Sequence, residues 1–254
     1  MTTSVVFLHS TGTLPSMWDA SPVPAGLEVL KPANLGYPPL PVLSKPTPVT
    51  VDDDVANIVR RLPPNGPLHL ISHSYGGLIA LKLLPMLGAR VASVFLYEPV
   101  LFGALSRSKT ADPGAVSQAV EMLATGSLLN DVEAGGGETW LGHFIDFWNK
   151  PGSWERMPDA MKAFSRSVGW KMYQEVRSVF FDPSSFADHL VSAPLTLVKG
   201  SRSPISSRAM IDELARVNPK ATVRDLNGTG HMAPLTHSAL FVEAVAEHWS
   251  RLGF

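Results

Sequence analysis

Short apolar runs alternate with longer amphipathic runs along most of this chain. The short runs have the length and apolar content of buried strands, and they occupy residues 5–9, 28–30, 68–72, 91–97, 195–199 and 222–226. The longer runs predict helices over residues 51–62, 75–87, 206–217 and 239–251. Alternation of this kind predicts an α/β fold, in which helices flank a mostly parallel sheet.

One long interval, residues 102–193, contains no strand-like run and interrupts this alternation. Its aromatic residues are Trp140, Phe144, Phe147, Trp148, Trp154, Phe164, Trp170, Tyr173, Phe180 and Phe181. We expect most of them to form a local core and a few to line a pocket. Because open α/β sheets bind ligands at the carboxyl ends of their strands, we expect a helical cap there. The predicted organisation is a core of residues 1–101 and 194–254 with a cap of residues 102–193.

Composition narrows the classes of function. The chain has 254 residues, of which 45% are hydrophobic, and a formal net charge of -1. That charge gives no basic footprint for nucleic acid or anionic membranes, so we expect a small-molecule partner. The absence of cysteine excludes disulfides, thiolate metal sites and a cysteine nucleophile. The first residues lack the basic region and long apolar stretch of a signal peptide, so we expect a cytoplasmic protein without membrane insertion.

The segment 68–77 carries the strongest chemical signal. An apolar strand is followed by the small residues Ser72, Ser74, Gly76 and Gly77, and then by an apolar run of helix formers. A strand, a tight turn and a helix form a nucleophile elbow, which pushes a serine hydroxyl out above the sheet. Ser74 is therefore the candidate nucleophile, with Ser72 standing where such turns usually have glycine. The alternative is a serine-rich turn without a catalytic role.

A serine nucleophile needs a base, and His231 is the best candidate. It lies in the loop 227–234, after the last predicted strand and before the last predicted helix. Gly228 and Gly230 would allow this loop to bend the imidazole toward Ser74. Structural or surface roles are expected for the histidines that rank lower, which are His69, His73, His143, His189, His237 and His248.

The base needs a carboxylate that fixes its tautomer. The loop 199–205, one usual place for this acid, contains neither Asp nor Glu. Glu98 ends the apolar strand 91–97 at the functional edge of the sheet, and Pro99 stiffens the chain that follows. Glu98 is therefore the candidate acid. The alternatives are a surface glutamate at a strand end and a polar group that faces the substrate.

An oxyanion hole needs two hydrogen-bond donors directed at one point. The backbone N–H of Tyr75, next after the nucleophile, is one candidate. The other is the backbone N–H of Thr11 in the loop after the first strand, with Ser10 close behind it. The residues expected to line the substrate pocket are Ser10, Trp18, Phe144, Trp148 and Met232.

Three segments and their order along the chain resemble the α/β-hydrolase superfamily. Residues 8–12 resemble its oxyanion loop, residues 72–77 its nucleophile elbow and residues 228–231 its histidine loop. The resemblance covers nearly the whole chain and is to a small bacterial-type member that lacks the first two strands of the full sheet. Glu98 together with the acid-free segment 200–204 resembles a subset of bacterial hydrolases.

The resemblance implies an α/β-hydrolase fold with a helical cap, and acyl transfer to water without a cofactor or metal. The favoured function is a carboxylesterase that acts on small hydrophobic esters through an acyl-enzyme on Ser74, because the predicted cap is aromatic and weakly charged. A hydrolase of C–C, amide or lactone bonds is one alternative. A non-catalytic ligand-binding relative is another, and it would be favoured if Glu98 pointed away from His231.

Overall fold

Six parallel strands form a sheet in the order β2-β1-β3-β4-β5-β6. The structure is a computed structural model, which describes residues 2–124 and 129–254. The strands are β1 (Ser4–Leu8), β2 (Glu28–Leu30), β3 (Leu68–His73), β4 (Val91–Tyr97), β5 (Leu195–Gly200) and β6 (Thr222–Leu226). The predicted parallel sheet is confirmed, and each strand end lies within one residue of its prediction.

Helices flank this sheet, as the alternation predicts. Those in the described residues are α1 (Val51–Val59), α2 (Tyr75–Leu87), α3 (Phe102–Ser106), α4 (Pro113–Ala124), α5 (Glu138–Trp148), α6 (Ser153–Arg156), α7 (Asp159–Phe181), α8 (Ile205–Val217), α9 (Ala233–Thr236) and α10 (Ser238–Arg251). Helix α1 ends before the predicted residue 62, because the N–H groups of Arg61 and Leu62 bond carbonyls only three residues back. Pro63 then prevents the helix from continuing.

The two faces of the sheet bury two hydrophobic clusters. Side chains alternate between the faces along a strand, so Val6 and Leu8 of β1 join the larger cluster, whereas Val5 and Phe7 join the smaller one. All five residues of β1 are buried. Burial on both faces explains why β1 and β4 are apolar at nearly every position.

The helices α3 to α7, between β4 and β5, pack onto the larger cluster. Phe102, Trp140, Tyr173 and Phe180 are buried in the same cluster as Leu8 of the sheet. Phe144, Phe147, Trp148 and Phe164 are only partly buried, and Phe181 is exposed. The aromatic residues of this interval therefore divide into a buried set and a half-exposed set. A separate cap of residues 102–193 stays a prediction.

No helix in residues 2–124 and 129–254 combines the length and the apolar content that crossing a membrane requires.

Candidate active site

Ser74 lies at a sharp turn between β3 and α2. Its backbone has φ 55° and ψ −119°, a conformation that non-glycine residues rarely adopt. The neighbouring backbone segments pack so closely that a Cβ atom on Gly76 would lie 2.2 Å from the carbonyl oxygen of Leu8. A Cβ on Gly77 would lie 2.4 Å from the Cβ of Pro99. Both positions therefore require glycine.

His231 reaches Ser74 from the loop between β6 and α9. Its Nε2 atom lies 2.9 Å from Ser74 Oγ, and only 2% of the residue is exposed. The loop is anchored from the sheet, because Tyr97 Oη–H donates to the Gly230 carbonyl at 2.7 Å and His73 Nε2–H donates to the His231 carbonyl at 2.9 Å. The ends of β3 and β4 thus fix the position of the loop that carries the imidazole.

The anchoring histidine, His73, has no side-chain contact with Ser74 among the described hydrogen bonds. Burial holds the pKa of the His73 imidazole well below its usual range, and the nearby His231 ring lowers it further. The neutral ring therefore keeps one N–H for the His231 carbonyl. This structural role agrees with the one expected for His73 from the sequence.

Glu98 reaches His231 from the other side. Its Oε2 atom lies 2.7 Å from His231 Nδ1, and the residue is fully buried. The Gly200 N–H donates to Oε1 at 2.6 Å and the Ser207 hydroxyl donates to Oε2 at 2.9 Å. Glu98 therefore points toward His231 and is not on the surface. Its φ of 42° is the second positive value at a non-glycine residue in the described chain, after that of Ser74.

The electrostatics of Glu98 favour a carboxylate. Burial alone would raise the pKa of this carboxyl, but the hydrogen bond and charge interaction with His231 and the Gly200 N–H outweigh it and lower the pKa. A carboxylate can only accept hydrogen bonds, so His231 carries its proton on Nδ1. Its Nε2 lone pair is then directed at the Ser74 hydroxyl, which is the geometry that a general base needs.

Two backbone N–H groups lie in segments next to Ser74: Thr11 lines both cavities that Ser74 lines, and Tyr75 directly follows Ser74 in the chain. Tyr75 is the first residue of α2, so its N–H has no partner within the helix. Across residues 2–124 and 129–254, neither this N–H nor that of Thr11 donates to another protein group. Both groups are free to bind an anionic oxygen, and the positive end of the α2 dipole adds to this effect. The Ser10 hydroxyl instead contacts the Thr13 hydroxyl at 3.1 Å.

Two cavities meet at Ser74. The first, which we name the phenylalanine chamber, has a volume of about 330 Å³ and is lined by Phe102, Phe144, Phe147 and Phe180 with other apolar residues. The second, the methionine chamber, has a volume of about 400 Å³ and is lined by Met157, Met161, Met172 and Met232 together with His231. Among the described residues, neither wall includes an Asp, Glu, Lys or Arg side chain.

Trp148 covers the imidazole and borders both chambers. Its ring stacks on that of His231 with the centroids 3.7 Å apart and an interplanar angle of 22°. Trp148 and Phe144 line both cavities. The indole therefore covers one face of the histidine and forms part of the wall of each chamber. The sequence contained no signal for this stacking beyond the abundance of aromatic residues in the interval.

Ser10, Phe144, Trp148 and Met232, four of the residues expected to line the pocket, do line one or both chambers. Trp18 lies elsewhere, fully buried in the smaller cluster between Phe7 and Phe241. The 3-10 turn Pro15–Trp18 carries its indole onto the opposite face of the sheet from the chambers. We therefore leave Trp18 out of the candidate site.

The other histidines have varied surroundings. His69 and His248 share a buried network with Ser93, and His248 also contacts Thr196. His143 lines the phenylalanine chamber, and His189 contacts Ser184. His237 precedes α10 but gives it no side-chain cap. Within the described ranges, no three His, Asp or Glu side chains are arranged to hold a metal ion.

Comparisons with known proteins place this site in a family context. Residues 5–244 match the model of a family described as the alpha/beta hydrolase family. No curated protein matches the chain in sequence.

Three solved structures illustrate the likeness in fold. MenH from S. aureus has 13% sequence identity and a TM-score of 0.71, and the match covers 99% of this chain and 94% of that one. A hydrolase from Pseudomonas aeruginosa PA01 has 18% identity and a TM-score of 0.65, with 96% and 89% covered. The enol-lactonase from Burkholderia xenovorans LB400 has 16% identity and a TM-score of 0.63, with 98% and 92% covered.

Proposed function

The chain belongs to the alpha/beta hydrolase family, and we propose that it is a serine hydrolase, a carboxylesterase that acts on small hydrophobic esters through an acyl-enzyme on Ser74. The observation that best supports this proposal is the buried chain of hydrogen bonds from Ser74 through His231 to Glu98. A hydroxyl that donates to a histidine, which in turn donates to a carboxylate, is the arrangement that activates serine for acyl transfer.

In the first half of the proposed reaction, Ser74 Oγ attacks the ester carbonyl carbon while His231 Nε2 takes the hydroxyl proton. The carbonyl oxygen becomes an oxyanion that accepts hydrogen bonds from the N–H groups of Thr11 and Tyr75. Glu98 stabilises the imidazolium that forms. His231 then gives its proton to the leaving oxygen, the carbon–oxygen bond breaks, and an alcohol departs from the acylated serine.

In the second half, a water molecule attacks the acyl carbon and His231 Nε2 takes one of its protons. The same oxyanion donors stabilise the second tetrahedral intermediate. When that intermediate collapses, His231 returns the proton to Ser74 Oγ, and the carboxylic acid is released. The serine and the histidine thus end each cycle in the state in which they began.

The two chambers suggest where each half of the ester lies. The leaving oxygen must be within reach of His231, because that residue protonates it. His231 lines the methionine chamber and not the phenylalanine chamber. We therefore assign the alcohol to the methionine chamber and the acyl group to the phenylalanine chamber.

The chamber walls also support an uncharged substrate. A charged group buried against these walls would lose its hydration without gaining a counter-ion. Each methylene transferred from water into the phenylalanine chamber would contribute about 0.8 kcal/mol. We therefore expect kcat/KM to rise by a factor of about 4 per buried methylene until the chamber is full.

The proposal is tested by comparing the wild type with Ser74→Ala on p-nitrophenyl acetate, butyrate and hexanoate. We expect hexanoate to be the best of these esters, and Ser74→Ala to lower kcat/KM by about 10⁴-fold or more. Val179→Phe should narrow the phenylalanine chamber and remove the preference for hexanoate. The matched variant Ala160→Phe narrows the methionine chamber instead, so it should leave the acyl preference in place.

Turnover that survives in a folded Ser74→Ala variant would contradict the proposal. A second panel containing lactones, amides and β-diketones tests the other bond classes, and lactones are included because an enol-lactonase is among the proteins of similar fold. Ser74-dependent cleavage of one of these compounds, with inert simple esters, would replace the carboxylesterase assignment. A folded wild type that binds esters without cleaving them would favour the non-catalytic alternative.

A further inference from the structure

A buried ionic cluster lies beside the candidate oxyanion hole. It consists of Lys171 and Glu175 of α7, Asp54 of α1, Tyr75 of α2, and Tyr37 from the chain between β2 and α1. All five residues are fully buried. Neither the sequence motifs nor the proposed mechanism uses the three charged residues, although burying them is costly.

One side of the ionic cluster holds the elbow. Tyr75 Oη–H donates to Asp54 Oδ2 at 2.7 Å, and the Lys171 ammonium donates to the same oxygen. The ammonium also lies 5.2 Å from the centroid of the Tyr75 ring. Tyr75 carries one of the two candidate oxyanion donors on its backbone. Its side chain is therefore fixed by the ion pair of Lys171 with Asp54.

The other side of the ionic cluster holds the loop after β1. The Gly12 N–H donates to Tyr37 Oη at 2.9 Å, and Tyr37 Oη–H donates to Glu175 Oε2 at 2.8 Å. Glu175 Oε1 in turn lies 3.2 Å from Lys171 Nζ. Gly12 directly follows Thr11, which carries the second candidate donor. Both donor segments are therefore connected to the same ammonium group.

The charges of the ionic cluster are unevenly balanced. Two carboxyl groups face one ammonium group. Burial raises the pKa of Glu175 to about 7; Lys171 opposes this shift, and the Asp54 carboxylate adds to it. Burial lowers the pKa of Lys171, but Glu175 and Asp54 outweigh it, so the lysine stays charged. Well-packed apolar residues often stabilise a fold as well as buried ion pairs do. Directional bonds from one ammonium group differ from apolar packing, because they also fix the spacing between the elements that they join.

We propose that Lys171 is a positioning residue, which sets the spacing between the Thr11 and Tyr75 N–H groups by holding Asp54 and Glu175. This inference rests on the proposed function, because an oxyanion hole is needed only if Ser74 transfers an acyl group. Preorganised donors act on the oxyanion of the transition state and much less on the bound ester. Loss of the spacing should therefore lower kcat and leave KM nearly unchanged.

The test compares Lys171→Met with Lys82→Met, which removes another ion-paired lysine. Lys82 of α2 lies 2.7 Å from Asp182 and 3.1 Å from Asp52, and it lines neither chamber. For each variant, kcat and KM are measured on the best p-nitrophenyl ester, together with the Ki of a trifluoromethyl ketone of the same acyl chain. Addition of Ser74 Oγ to the ketone carbonyl gives a hemiketal that mimics the tetrahedral intermediate and places its oxyanion in the hole.

We expect Lys171→Met to lower kcat by about 10- to 100-fold and to raise the ketone Ki by a similar factor, with KM within about twofold of the wild type. Tyr75→Phe and Tyr37→Phe should each have the same effect on a smaller scale, and Lys82→Met should have none. A folded Lys171→Met variant with the kcat and Ki of Lys82→Met would overturn the inference, as would a change in KM alone. If Lys171→Met does not fold, the two phenylalanine variants decide by the same criteria.

Failure of the proposed function has a different signature, since the wild type would then show no Ser74-dependent hydrolysis. Amide hydrogen exchange in segments 9–14 and 73–78 measures how firmly the two donor segments are held, without any need for activity. Faster exchange in both segments in Lys171→Met than in Lys82→Met supports the role of the ionic cluster. Equal exchange in the two variants overturns it.

Discussion

Glu98 and Glu175 are both fully buried glutamates beside the candidate site, yet their pKa values shift in opposite directions. Glu98 accepts hydrogen bonds from His231, the Gly200 N–H and the Ser207 hydroxyl. Burial alone would raise its pKa, but the hydrogen bond and charge interaction with His231 and the Gly200 N–H lower it. Glu175 also has donors, Tyr37 and Lys171, but it shares the ammonium with a second carboxyl group, and burial raises its pKa to about 7.

Burial alone therefore does not set the charge of a carboxyl group. The number of donors and the presence of a competing carboxylate decide which form is stable. The donors around Glu98 favour a carboxylate beside His231. With a pKa of about 7, the protonated and charged forms of Glu175 are similarly populated near neutral pH. Its neighbours serve to fix distances between elements.

The largest expected effect concerns the charge of Glu98. Glu98→Gln keeps the shape of the side chain but removes the carboxylate that holds the His231 tautomer, so we expect kcat to fall by about 10²- to 10⁴-fold. Glu175→Gln should cost no more than about tenfold, because the amide oxygen can still accept the Tyr37 hydrogen bond. Steady-state kinetics on one ester measure both changes.

The matched control for these two variants is Glu213→Gln. Glu213 is only 4% exposed and pairs with Arg216 at 2.9 Å on α8, away from both chambers. Its activity should match that of the wild type. Equal losses of kcat in Glu98→Gln and Glu175→Gln would contradict the distinction between the two buried glutamates.

The second expected effect is on the free energy of unfolding. We expect the contributions of Glu175 and Glu98 to depend on pH in opposite directions. The folded pKa of Glu175 is raised, so its contribution to stability is present below about pH 4.5 and is lost as the pH rises through about 7. The wild type should therefore lose on the order of 3 kcal/mol of unfolding free energy relative to Glu175→Gln across this interval. The folded pKa of Glu98 is lowered, so its contribution is present above its usual pKa and is lost as the pH falls.

Urea unfolding of the wild type, Glu98→Gln and Glu175→Gln between about pH 4 and about pH 8 measures both trends. The stability of the wild type relative to Glu98→Gln should fall as the pH falls. The stability of the wild type relative to Glu175→Gln should instead rise as the pH falls. Parallel pH profiles for the two variants would show that the donors around Glu98 do not have the role described here.

The smallest expected effect comes from removing one donor of Glu98. Ser207→Ala deletes the hydroxyl that donates to Oε2 at 2.9 Å. We expect a loss of about 1–2 kcal/mol in unfolding free energy and a several-fold loss in kcat, because two other donors remain. The nearby Ser206→Ala variant, which removes a hydroxyl that does not contact Glu98, serves as the control. Identical kinetics in the two variants would exclude a contribution from Ser207.

Those features of the fold and site that depend on local pattern could be predicted from the sequence. The alternation of apolar runs predicted the sheet, and the spacing of small residues around Ser74 predicted the turn that the structure has. Glu98 could be singled out because the loop 199–205 has no acid and the strand before Glu98 ends at the right edge. The signals for the strands and the turn are local, whereas singling out Glu98 also required the elimination of the distant loop 199–205.

Contacts between distant segments could not be predicted in this way. Lys171 is 117 positions from Asp54, and nothing in the sequence of α7 marks that lysine as buried. The stacking of Trp148 on His231 depends on how α5 lies over the sheet, which the aromatic content of the interval does not specify. Trp18 was expected at the pocket because it is close to Thr11 along the chain, but the intervening turn places it on the opposite face.

We propose that Glu98, acting through His231, activates Ser74. Labelling with a fluorophosphonate probe tests it most directly, with the rate and the modified peptide measured by mass spectrometry for the wild type, Ser74→Ala and Glu98→Gln. We expect rapid modification of the wild type at Ser74, none in Ser74→Ala, and a rate at least about tenfold lower in Glu98→Gln. A folded wild type that is not modified, or one that reacts as fast without the Glu98 carboxylate, would contradict it.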